Sequence, residues 1–388
     1  MSMNAMRQRG VTLIELMVAI VIASLLAIAV STVLAGFEGR KRSTTSVNDL
    51  NQAGNYAAWV IDNLVRSAGS GYAQTAEFSF GCKLYAAKSS AVVLGDSTTV
   101  PAPFSSYTAF SSGFRLAPIL IAKDATTPAN SGSGSDVLVI MSGAAGKAEA
   151  PGYLSTYPAA ASLSLKNTLL FTANDLVLLA DPEATSSSLA PCMLTQVSSS
   201  FVEAGSTSVA LAGTYYAASV NSTLLTGFTK DAVAMVVGNV SNANPPAFNL
   251  VGVGDNGTLY TYDLLQATGS SAQAIAQGIF EMHALYGLDS DGDGKLDKWV
   301  KPEGTYSYSS LTAGTTTVAA TLATIKAVRI GLILRTDLLE KETVSPASIT
   351  LFSDLGLSYS PTITGDNTRY RYRTVELTVP LRNTMLLE

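Results

Sequence analysis

The sequence predicts an α+β protein: a long N-terminal helix, half membrane-directed and half amphipathic, packed on an antiparallel β-sheet with an elaborated β-rich C-terminal body. Three observations predict it. An uncharged run extends from Leu16 to Phe37 behind a short basic leader. Apolar positions then recur at three- and four-residue steps as far as Ala68, and the later chain alternates apolar and polar residues as strands do.

The first element follows from length. Arg7, Arg9 and Gly10 precede an apolar segment of about 26 residues, which at about 1.5 Å per residue spans a bilayer core of roughly 30 Å. Glu15 interrupts it. A carboxylate in lipid costs roughly 2.5 kcal/mol or more on insertion scales, so it is seldom found there without a partner. A secretory signal peptide places its cleavage site after the apolar core, whereas the expected processing point here, after Gly10, lies before it. Cleavage would discard residues 1–10 and keep the membrane half, residues 11–37.

The second half, residues 38–70, carries a stripe formed by Val47, Leu50, Ala57, Ala58, Ile61, Leu64, Val65 and Ala68, one face of a helix. No proline occurs before Pro101, so the two halves are expected to form one helix from about Thr12 to Ala68. Gly69-Ser70-Gly71 should stop it, and Gly36 and Gly39 are the places where it would soften.

Gly10, Val11 and Glu15, with Thr12-Leu13-Ile14-Glu15-Leu16 around them, resemble the class III signal of the type IV pilin family: a glycine, a scissile bond, an apolar first residue and a glutamate at the fifth. Val11 stands where phenylalanine is usual. The resemblance implies that a prepilin peptidase cuts between Gly10 and Val11 and that the new amine is methylated. In a bundle of such helices Glu15 would pair with the Val11 amine of a neighbour, sparing both charges from lipid.

Composition fits an exported protein. Only 14% of the residues are charged and the net charge is −5, reaching about −7 once Arg7 and Arg9 leave with the leader, a balance that argues against a nucleic-acid surface, which needs a basic face. Arg40, Lys41 and Arg42 rival the leader's arginines, so charge bias does not orient the helix. The signal resemblance does, placing the anchor once across the bacterial inner membrane with its body in the periplasm. Cys82 and Cys192, the only cysteines, are then expected as a disulfide, two buried thiols being the other reading.

Residues 71–388 read as the β-rich body. From Tyr72 to about Ala161 the text is loose, and Asn130-Ser131-Gly132-Ser133-Gly134-Ser135 has the composition of a flexible linker. Strands are predicted at Asp136 to Met141, Asp175 to Ala180, Ala232 to Val237, Phe248 to Val253 and Leu259 to Tyr262, with Asp255-Asn256-Gly257 as a hairpin turn. Further on, Phe280, Met282, Ala284 and Tyr286 alternate with Glu281, His283 and Leu285, a half-buried strand; Val328, Ile330, Leu332 and Leu334 oppose Arg329 and Arg335 across another with one wet face. Arg371 and Arg373 mark a solvated or edge-protecting face near the C-terminus.

Between two of these strands lies Asp289-Ser290-Asp291-Gly292-Asp293-Gly294-Lys295-Leu296-Asp297. Oxygens at steps one, three, five and nine, with a glycine at six, suit a hard cation taking six to eight ligands at about 2.3–2.6 Å. The loop is read as a calcium site. Asp289, Asp291 and Asp293 would give side-chain oxygens, Lys295 its carbonyl and Asp297 a direct or water-mediated ligand. Val300 at the twelfth step, in place of a bidentate glutamate, sets it apart from an EF-hand.

Length and layout resemble PilW-like minor pilins. Leu13-Ile14-Glu15-Leu16-Met17, the Ala284 to Gly294 stretch, Ile325 to Leu334 and the closing Val379-Pro380-Leu381-Arg382-Asn383 carry that resemblance. It implies a structural subunit that primes type IV pilus assembly for twitching motility and cell adhesion and sits at or near the tip. Its partners would be other minor and major pilins, the inner-membrane assembly platform and a tip adhesin. The alternatives are a J-type pseudopilin of type II secretion and a pilin-anchored calcium-dependent adhesin or enzyme. Against an enzyme, the single histidine, His283, reads as a structural or surface residue, and no His-Glu-x-x-His, Gly-x-Ser-x-Gly or phosphate-cradling glycine motif is present.

Overall fold

The computed structural model describes residues 10–130, 133–144, 150–182, 188–203, 207–241 and 245–385, without the side chains of 126–130 and 133. It divides into two compact units, residues 1–49 and 50–388. Most of the leader, Met1 to Arg9, lies outside the described residues.

One α-helix runs from Leu13 to Arg66 and contributes to both units. Gly36 and Gly39 leave it unbroken. In the first unit every residue from Gly10 to Arg42 is exposed, including Leu13, Ile20, Leu26 and Phe37. The helix is long and apolar enough to cross a membrane. Within the second unit it buries Leu50, Ala57, Ile61 and Val65 of the expected stripe together with Gly54, while Ala58 and Leu64 are half-buried. Gly54 lies close against Leu334, so a Cβ there would make a terminal methyl of Leu334 shift. The helix ends where expected. Gly69 takes φ +80°, a left-handed conformation that costs glycine little, and the Asn383 side-chain amide donates to the Ala68 carbonyl at 2.9 Å.

Three larger sheets make the body, among the described residues. A six-stranded sheet has the order 91–94, 84–88, 192–196, 175–180, 233–239, 152–153, antiparallel except where Leu84 pairs with Cys192 and Tyr85 with Met193. Its strand Asp175–Ala180 is buried throughout because alternate residues enter different cores: Leu176 and Leu178 pack towards the helix's cluster, Val177 and Leu179 towards a second one with Phe171 and Val209. A five-stranded sheet has the order 273–277, 258–263, 247–253, 133–142, 119–130. Asp255-Asn256-Gly257 turns it, with Val253 facing Leu259 and Gly257 at φ +66°.

The loose reading of residues 72–161 is corrected here. The segment holds strands Leu84–Lys88, Ala91–Leu94 and Ile119–Asn130 besides Ser133–Ser142, which contains the predicted Asp136 to Met141; of the stretch read as a flexible linker, Asn130 and residues 133–135 lie in paired strands, where Asn130 faces Ser133. Ser131 and Gly132 of that stretch lie outside the described residues. The pattern was masked because Ile119 to Ala122 is a short apolar run followed by polar residues, and cross-strand pairing, which composition does not show, extends it.

The four-stranded sheet, order 298–300, 279–288, 325–335, 372–380, carries the candidate sites. Strand 372–380 is its edge, as the arginines suggested; Arg371 pairs with Glu340 at 3.0 Å, and Arg373 donates to Asn51. Strand Ile279–Leu288 is not half-buried: all ten residues are buried. Ile349, Leu351 and Phe352, with Leu357 and Tyr359 beside them, cover the face expected to be wet, and Ile333 on the neighbouring strand is sealed by the same cluster. A bulge at Phe280 turns that ring out of the alternation and into this outer cluster beside Leu285.

Candidate functional site

Three places bear on function: the start of the helix, the acidic loop, and the middle of strand 279–288. Each is built by different elements.

At the helix start Thr12 and Glu15 form a capping box. Glu15 Oε2 accepts from the Thr12 N–H at 2.9 Å and from its hydroxyl at 2.8 Å, while the Glu15 N–H donates to Thr12 Oγ1 at 3.3 Å. Two orphan donors of the first turn are thus satisfied inside the chain. Thr-x-x-Glu before an apolar run is a helix-start signature that the sequence reading did not use. Gly10 and Val11, on either side of the expected cut, are both exposed, Val11 at 71%.

The acidic loop leaves the end of strand 279–288. Gly292 and Gly294 adopt φ +76° and +81°, conformations that favour glycine and let the backbone double back. Asp289 is buried and accepts from the Gly292 N–H at 2.8 Å and the Gly294 N–H at 3.0 Å; Asp297 accepts from the Ser290 N–H at 2.6 Å. One oxygen each from Asp289, Asp291 and Asp297 lies within 4.8 Å of the others. Asp293 is not in that group. Its carboxylate takes the Lys295 ammonium at 2.7 Å and the Lys295 N–H at 2.8 Å, and the hydrogen bond from that side chain holds its pKa below the ordinary value. The structure therefore gathers three of the four predicted carboxylates.

The cysteines are joined. Cys82 and Cys192 form a disulfide across 110 residues with Cα atoms 5.7 Å apart, tying the start of the body to the central strands of the six-stranded sheet.

The third place was not anticipated. Strand 298–300 pairs with residues 286–288, so among the described residues the rest of that edge of the central strand has no strand partner. Side chains of strand 133–142 take over: the Met282 N–H donates to Ser135 Oγ at 3.3 Å and the Ala284 N–H to Asp136 Oδ2 at 2.9 Å. Asp136 Oδ1 also accepts from the Asp124 N–H at 3.0 Å. The His283 ring lies between two buried carboxylates, Nδ1 3.6 Å from Asp136 Oδ1 and Nε2 3.5 Å from Glu281 Oε2. Burial pulls the imidazole's pKa down, but Asp136 and Glu281 outweigh it and lift the pKa to about 9. Tyr359 stacks on the ring with centroids 3.6 Å apart and donates to Glu281 Oε2 at 2.8 Å. Nothing in the sequence marks this cluster, because its members come from three separated segments.

A membrane-length helix that begins on the Thr12–Glu15 capping box and leads into a body of mainly antiparallel sheets has the layout that the signal resemblance implied. Comparison with known proteins agrees at both ends of the chain: residues 5–31 match the prokaryotic N-terminal methylation motif, and residues 248–383 match the family described as type IV pilus-assembly protein W. Together the two matches support a PilW-like minor type IV pilin, and the pseudopilin alternative is not favoured. No curated protein and no solved structure shows a significant match. The second match takes in the acidic loop and the whole four-stranded sheet, and residues 32–247 lie outside both matches.

Proposed function

We propose that this minor pilin primes pilus assembly and remains at or near the tip, acting by packing and not by catalysis. The observation that carries the reading is the uninterrupted apolar helix, exposed on every side from Gly10 to Arg42 and carrying one acid near its start. So large an apolar surface needs lipid or sister helices around it. It would cross the inner membrane once before assembly and then enter the pilus core. There the Glu15 carboxylate would exchange its Thr12 cap for the methylated Val11 amine of a neighbouring pilin. Other minor and major pilins, the prepilin peptidase, the assembly platform and a tip adhesin are its proposed partners.

Deleting the gene and scoring surface pili and twitching tests this. Loss of both, restored by the intact chain, is expected; normal piliation with lost protein secretion would overturn it in favour of a pseudopilin.

The acidic loop is proposed to hold calcium through Asp289, Asp291 and Asp297, with the Lys295 carbonyl and, after release from the Lys295 ammonium, Asp293 completing the oxygen set. An all-oxygen donor set with two left-handed glycines is what supports calcium there. The ion would fix the connection between strands 279–288 and 298–300. Calorimetry on the full chain in detergent should show calcium heat that Asp291→Ala removes; no heat with either protein would end the claim.

A further inference from the structure

Four acids and one imidazole meet where the hairpin 119–142 crosses the central strand. Asp136 and Glu281 are 2% and 0% exposed, and buried carboxylates are costly unless a cation compensates them. Among the described residues it is His283 that stands between them, 3.6 Å from Asp136 and 3.5 Å from Glu281. Its Nε2 and the second oxygen of Glu281, Oε1, are buried with no hydrogen-bond partner among the described residues. Beside the ring opens a cavity of about 160 Å³ lined by Asp124, Asp136, His283, Lys301, Glu303 and Tyr359 among others. One ligand atom each from Asp124, Asp136 and His283 lies within 4.8 Å of the others.

We infer that Asp124, Asp136 and His283 bind a first-row transition dication of the zinc type. The separation of Nδ1 from Asp136 Oδ1, 3.6 Å, is too long for a hydrogen bond. It is close to the spacing of two ligands on one tetrahedral ion with bonds of about 2.0–2.2 Å. Glu281 sits on the ring's other nitrogen, where a carboxylate fixes the tautomer and orientation of a metal-binding histidine, and Tyr359 in turn holds Glu281. Asp124 occupies a break in the strand register at φ +52° and keeps its side chain at the cavity mouth, 38% exposed, so the third ligand can close in from solvent.

Lys123 is the competing cation, 3.5 Å from Asp124, but its shorter contact is to Glu303 at 2.8 Å, which would hold it once Asp124 turns inward. A nitrogen ligand among carboxylates selects against calcium and magnesium, so this site and the all-oxygen loop would not compete for the same ion.

The test is equilibrium dialysis of the full chain in detergent against zinc, with millimolar calcium present, alongside cobalt(II) titration followed by visible absorption. The expected result is one zinc per chain and cobalt bands of a nitrogen- and oxygen-ligated low-symmetry site. Asp124→Asn, at the exposed ligand, should weaken zinc at least tenfold while leaving the buried residues in place; His283→Gln should abolish the cobalt bands. Glu281→Gln should weaken zinc roughly 10–100-fold. Asp291→Ala should keep full zinc affinity. Wild-type chain that takes up no zinc or cobalt, or Asp124→Asn with unchanged affinity and spectrum, would overturn the assignment.

Discussion

The two halves of the long helix are built from one continuous backbone and obey different rules. Residues 13–37 are apolar on every face and bury none of it; residues 50–66 are apolar on one stripe and bury all of that stripe but its margins. The first half has to be completed by something outside the chain, lipid or another helix, whereas the second is completed by the chain's own core. Substitutions in the first half should therefore change assembly and leave body stability alone, and those in the second should do the reverse.

The sharpest break would come at Glu15. Glu15→Leu removes an insertion cost of roughly 2.5 kcal/mol or more, so the chain should enter membranes at least as well as before, yet pilus counts by electron microscopy should fall at least tenfold. The melting temperature of the body should not move. Ile61→Ala should give the mirror image, losing about 2–5 kcal/mol in urea unfolding because Ile61 is wholly buried, with no change in membrane insertion.

Replacing Cys82 and Cys192 together by serine should cost about 2–5 kcal/mol, from the long loop that the disulfide closes. This loss too should spare insertion. Finer resolution comes from the glycines. Gly54→Val must displace Leu334 and should destabilise the body by about 1–3 kcal/mol. Gly36→Ala meets no atom within 4 Å and should strengthen the helix by about 1 kcal/mol, the smallest effect of the set. A destabilised body with Gly36→Ala, or an unaffected one with Gly54→Val, would erase the distinction between the halves.

What the sequence made legible was local. The stripe Leu50 to Val65, the Gly69 stop, the Asp255-Asn256-Gly257 hairpin and strand Asp175–Ala180 each depend on residues a few steps apart, and each stands where its pattern put it. The acidic loop was legible for the same reason, though not the capture of Asp293 by Lys295, which depends on a side-chain rotamer. What failed was long-range. Glu281 and His283 alternate with apolar neighbours and so read as a wet face; Leu351, Phe352 and Tyr359, from much later in the chain, make it dry. The same cover puts His283, read as structural or surface, at the centre of a buried cluster with Asp136, whose strand was legible but whose pairing with residues 279–288 through side chains was not.

The central claim is that the apolar helix stays on the chain after a short leader is removed. Intact-mass and N-terminal peptide analysis of the protein from membranes and sheared pili tests it most directly. The expected mature chain starts at N-methylated Val11. A chain that starts at Met1, or one that begins beyond Phe37, would contradict it.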